Sequence, residues 1–135
     1  MLNLAPAPVT REAARAELRK FLALAELVDT PPQMFSELID DEWHALLDDD
    51  AAYADLCNAT VGHHVGHHKD AGHGVISWIT DYHRQFGDLP PIWFADNNGF
   101  VDQDAYDLYR RTRTVTASWR CQPTTGDPDY ATATK

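Results

Sequence analysis

Val61-Gly62-His63-His64-Val65-Gly66-His67-His68-Lys69-Asp70-Ala71-Gly72-His73-Gly74 is the stretch on which the reading of this chain turns. Five of its seven histidines lie there: His63, His64, His67, His68 and His73. Gly62, Gly66 and Gly72 make residues 62–73 a poor helix, because glycine loses the most backbone freedom on ordering. The segment therefore reads as a loop between helices. Imidazole is a common ligand for transition metals, so the same stretch also marks a place where a metal would sit.

Upstream, Tyr53, Leu56, Cys57 and Thr60 recur at helical spacing, and Asp50 can cap that helix. The turn before it is Asp48-Asp49-Asp50. A preceding helix is expected from about Gln33 to Leu47, with Phe35, Leu38, Ile39, Trp43 and Leu46 as its apolar stripe. Thr30-Pro31-Pro32 separates it from a first helix over 11–28, capped by Thr10. Downstream, Val75, Trp78, Ile79, Tyr82 and Phe86 predict a helix over 74–86. Leu89-Pro90-Pro91 leads into an extended Ile92-Trp93-Phe94. Asp96-Asn97-Asn98-Gly99 is a turn, and Asp102 caps a short helix over 103–111. Val115, Ala117 and Trp119 alternate with polar residues, which predicts a strand over 114–119 that could pair with 92–94.

The expected fold is mostly α: a small bundle of four to five helices with a minor two-stranded β element near the C-terminus. Trp43, Trp78, Trp93 and Trp119 are expected to supply much of its core. The boundaries are an extended segment 1–9, one helical domain 10–121 and a flexible tail 122–135. A chain of 135 residues suits one domain.

The net charge of −10 disfavours nucleic acid and anionic membrane surfaces as partners. No apolar run approaches the ~20 residues that span a bilayer. The N-terminal residues lack the pattern of a signal peptide, which points to the cytoplasm. A disulfide between Cys57 and Cys121 is disfavoured in that reducing compartment. The absence of Cys-x-x-Cys argues against a zinc finger.

Three groupings carry chemistry. Asp40 and His44 stand four apart on one helical face, so the carboxylate can hold one imidazole nitrogen and leave the other for a metal. Tyr53 and Cys57 share a face of the next helix, and the turn at 48–50 would bring Cys57 back towards His44. The His-rich loop would add one or two further ligands. The candidate ligands are His44, Cys57, His67, His68 and His64, with Asp40 and Tyr53 as supporting groups. The blander alternatives are a surface ion pair, a buried structural cysteine and a solvated polar loop.

Histidine with thiolate selects a transition metal, zinc, copper or iron, over magnesium or calcium. The expected function is that of a small cytoplasmic metal-binding protein, and of a metalloenzyme if one position stays open. The alternative is a non-catalytic acidic interaction module that binds a basic protein partner, as an accessory or inhibitor protein. The partner is thus a small molecule or a protein. The sequence leaves open whether Cys121 reaches the site from the C-terminal strand.

The pattern Asp40-x-x-Trp43-His44-x(8)-Tyr53-x(3)-Cys57-x(4)-Gly62, followed by a His pair, resembles the helical segment of the glycine-rich domain-containing protein family and its short bacterial relatives. The resemblance spans about residues 11–68. It matches Asp40, Trp43, His44, Tyr53, Cys57 and Gly62 position by position. The family's His pair would fall on Gly66 and His67, so His67-His68 is displaced by one, and no glycine-rich tail is present. The resemblance implies that His44, Cys57 and the His pair act together.

Overall fold

Helix α1 (Arg11–Ala25) starts where the Thr10 hydroxyl accepts from the Ala13 N–H at 3.0 Å. A cap of this kind contributes about 1 kcal/mol. The structure, a computed structural model, describes residues 9–124. The expected extended segment 1–9 lies outside it except for Val9, as does most of the expected tail.

Helix α2 (Glu37–Leu47) begins later than its apolar stripe suggested. Ser36 is its cap, accepting from the Ile39 N–H and donating to the Ile92 carbonyl. The residues before it take other partners. Met34 N–H donates to the Cys121 carbonyl at 3.1 Å. The Gln33 carbonyl and side chain receive Trp78 Nε1–H and the Ser77 N–H. Helix α3 (Asp50–Thr60) is capped by Asp49 rather than Asp50, through the Ala52 N–H at 3.1 Å.

The His-rich stretch is where expectation and structure part. Residues Gly66–Val75 form strand β1, not a loop. Helix α4 (Ile79–Phe86) follows, shorter than expected because the strand takes residues 74 and 75. Pro91–Phe94 is a 3-10 turn, so Ile92-Trp93-Phe94 pairs with no strand. Helix α5 (Gln103–Thr112) is capped by Asp102 as expected, and Asp96 receives the N–H groups of Asn98 and Phe100 in an Asx turn. Strand β2 (Thr116–Thr124) then pairs antiparallel with β1 along its length. Gln122, Pro123 and Thr124, expected in the tail, belong to it.

The expectation of a mostly helical bundle with a minor C-terminal β element is therefore corrected. The fold is mixed: five helices among the described residues, and a ribbon of two strands of ten and nine residues. The physical reason lies in what a strand demands. Glycine weakens a strand, but Gly72 is the residue that admits the Trp119 ring. A β-carbon at Gly72 would stand 2.5 Å from Trp119 Cζ2. One extra β1 residue is absorbed between Lys69 and Gly72, which face Cys121 and Trp119.

The core gathers around Phe21 of α1. Its ring lies 5.8 Å from Trp43, 5.6 Å from Trp78 and 5.8 Å from Trp93, centroid to centroid. Those three tryptophans are fully buried. Trp119, expected among them, is only partly buried and lies on the ribbon. Glu17 is also buried here. It accepts from Tyr82 at 2.6 Å, from Trp93 Nε1–H at 2.9 Å and from Lys20 at 3.0 Å. A buried carboxylate is tolerable only when its oxygens are bonded in this way. No helix among the described residues is long and apolar enough to cross a membrane.

Candidate metal centre

Asp40 and His44 lie on one face of α2, four residues apart, and the Asp40 Oδ1–His44 Nε2 distance is 3.5 Å. Opposite them runs the ribbon. In its register His67 faces Pro123 and Lys69 faces Cys121. His67 and Cys121 are thus diagonal neighbours on one face, close enough for side chains to meet. Two elements supply two residues each. One ligand atom from each of Asp40, His44, His67 and Cys121 lies within 4.8 Å of the other three. These four residues form a cluster that could hold a metal ion.

The bonding within the cluster is incomplete. Cys121 Sγ donates to Asp40 Oδ1 at 2.8 Å. His67 stands edge-on to Trp43 and to His44, each at 4.6 Å between ring centroids. Its Nε2 is buried and has no hydrogen-bond partner among the described residues. A buried imidazole nitrogen without a partner costs about 1–3 kcal/mol unless something else occupies its lone pair.

Charge follows the same geometry. Burial, with the neighbouring His44 second, pushes the His67 pKa down to about 4. His67 is then neutral near pH 7, the form that ligates a metal. Burial, reinforced by the hydrogen bond to the Asp40 carboxylate, pushes the Cys121 thiol well above the ordinary thiol range. A metal arriving there would displace that proton.

The surroundings hold β1 in place. Trp43 Nε1–H donates to the Tyr53 hydroxyl at 3.1 Å, and that hydroxyl donates to the Val65 carbonyl at 2.6 Å. Val65 is two residues before His67, so Tyr53 supports the site through the backbone. Its own ionisation is pushed up, chiefly by burial.

The other expected ligands stand elsewhere. Cys57 is fully buried on α3 and lies outside the four-residue cluster. His68 is exposed, being the strand neighbour of His67 and so on the opposite face. His64 is exposed, its ring 5.6 Å from Tyr53. His63 bonds Glu26 at 3.0 Å and His73 bonds Ser118 at 2.8 Å. Asp40, expected as an outer support, is among the ligand atoms themselves.

Cys121 is the member whose place the sequence left open. A signal for it exists. The alternation Val115, Ala117, Trp119 carries on to Cys121, which puts the thiol on the inward face if the strand continues.

A cleft of about 310 Å³ opens beside the cluster, and Asp40 and His44 line it. The His44 side chain is 50% exposed, so the cluster has an open flank. No protein-family model matches the chain, and neither a curated protein nor a solved structure matches it.

Proposed function

We propose that the protein binds one transition-metal ion through Asp40, His44, His67 and Cys121, with zinc as the first choice. The observation that carries this reading is the convergence of four ligand atoms within 4.8 Å. In a tetrahedral zinc site with bonds of ~2.0–2.3 Å, ligand atoms stand about 3.3–3.8 Å apart. The widest separation, 4.8 Å at most, therefore has to close by about 1.0–1.5 Å. Half-exposed His44 can make that movement. Two imidazoles, a thiolate and a carboxylate form a mixed donor set that suits zinc, with copper and iron next.

The open flank gives the centre a second use. If half-exposed His44 gives up its place, a metal held by the other three can take a substrate oxygen or a water from the cleft and act as a Lewis acid. We read the protein as a small metalloprotein whose centre meets a small molecule in that cleft.

The test is elemental analysis of untagged protein after purification and zinc reconstitution. The parent is expected to hold one equivalent of metal. Cys121→Ser and His67→Ala are each expected to lose more affinity than the about 10- to 100-fold typical of outer-shell changes. Equal metal content in the parent and both variants would overturn the assignment.

A further inference from the structure

We propose that a second cavity, of about 590 Å³, binds a small organic ammonium ion with an apolar body. None of the four cluster residues lines it, so the site is independent of the metal reading.

Its walls follow from the chain. Ala105, Leu108, Tyr109 and Thr112 line it from one face of α5, at the spacing that aligns side chains along a helix. Arg113 then ends the helix in a left-handed conformation, φ 63°, and the chain turns into β2. Val115 and Ala117 alternate inward there and form a second wall. Phe35, Trp93 and Phe94 add an aromatic floor, with the Phe35 ring 5.2 Å from Trp93 and 5.6 Å from Phe94. Phe100 and Leu108 also line the cavity and are 73% and 52% exposed, which leaves apolar surface for a ligand to cover.

Charge decides which ligand enters. Glu37, Asp96 and Asp102 line the cavity, and no lysine, arginine or histidine does. Asp96 gives one oxygen to the N–H groups of Asn98 and Phe100, and Asp102 gives one to Ala105. Glu37 makes no hydrogen bond or ion pair among the described residues, so its carboxylate is open to a cation. The N-termini of α2 and α5 lie at Glu37 and Asp102 and carry about half a positive charge each, which three carboxylates outweigh. Arg113, which follows Thr112, is held by Asp88 at 2.6 Å. The net charge of −10 acts in the same direction. An ammonium ion gains from the carboxylates and from the aromatic faces, and an anion gains from neither. A cavity of this volume suits a small molecule.

Isothermal titration calorimetry on the untagged full chain near neutral pH compares three ligands of one shape: phenethylamine, which is charged there, phenethyl alcohol and hydrocinnamate. Phenethylamine is expected to bind saturably at one site, the alcohol about ten-fold more weakly, and hydrocinnamate weakest. Phe100→Ala is expected to weaken the amine and the alcohol alike, by about five- to ten-fold, since both lose the same apolar contact. Glu37→Gln is expected to weaken the amine by about two- to five-fold and to leave the alcohol unchanged. Both side chains are exposed, so both variants keep the fold. No saturable binding of phenethylamine, hydrocinnamate binding as tightly, or unchanged phenethylamine affinity in either variant would overturn the proposal. So would a dimeric parent that becomes monomeric in Phe100→Ala, since a second copy would then cover the cavity.

Discussion

His67 does two things with one ring. Its buried Nε2 points to a missing partner, and burial keeps the ring neutral down to about pH 4. The second property has a consequence for the metal-free protein. In the unfolded chain the ring takes up a proton near its ordinary pKa of 6.5, whereas in the folded chain it does so only near 4. Between those values the unfolded state binds more protons, so stability rises with pH there. Metal-free protein is expected to lose stability progressively as pH falls from 6.5 to 4. His67→Phe is expected to flatten that slope, and denaturant titrations across the window measure it. An unchanged slope in the variant would place the titration elsewhere. Cys57 supplies a second residue-scale contrast. It is buried beside Tyr53 and outside the cluster, so Cys57→Ser is expected to retain full metal stoichiometry by elemental analysis. Asp40 and His44 were legible as a pair in the sequence because a helix fixes its own i, i+4 geometry. Cys121 was not, because its approach depends on pairing with a strand some fifty residues away.

The ribbon is the element that decides the site. Its pairing sets His67 and Cys121 on one diagonal, and a slip of one residue would put them on opposite faces of the ribbon. Gly72 guards that register by admitting the Trp119 ring. Gly72→Ala forces a β-carbon to 2.5 Å from the ring, an overpacking that costs about 1–3 kcal/mol. The same variant is expected to lower metal affinity, since the ring or the strand must shift. Thermal unfolding and a metal titration on the same sample test both. Full affinity in a destabilised Gly72→Ala protein would show that the register survives the strain. The helices were read closely from capping residues and apolar spacing. Thr10 and Asp102 stand as expected, and Ser36 moved the start of α2 by competing for the cap. Strand β2 was legible in part, from the alternation over 114–119, but β1 was missed because glycine and histidine carry no strand preference of their own, so local propensity pointed to a loop. The partner strand and the Trp119 ring override it.

For the whole molecule, α1 is the hub. It carries Phe21 to three buried tryptophans and Glu17 to Tyr82, Trp93 and Lys20. Glu17→Ala would leave a buried hydroxyl and an indole N–H without an acceptor. It is expected to cost about 3 kcal/mol or more by denaturant unfolding. A cost below about 1 kcal/mol would mean that the network contributes little. Trp43 links this core to the site, since one ring packs on Phe21, touches His67 edge-on and bonds Tyr53. Core and centre are therefore one packed unit, with metal binding adding to its stability through linkage. X-ray absorption at the zinc edge of fully loaded protein reads the four-ligand centre itself. One sulfur neighbour is expected at about 2.3 Å and three nitrogen or oxygen neighbours at about 2.0–2.2 Å, two of them imidazole. A first shell with no sulfur, or with two, would contradict it.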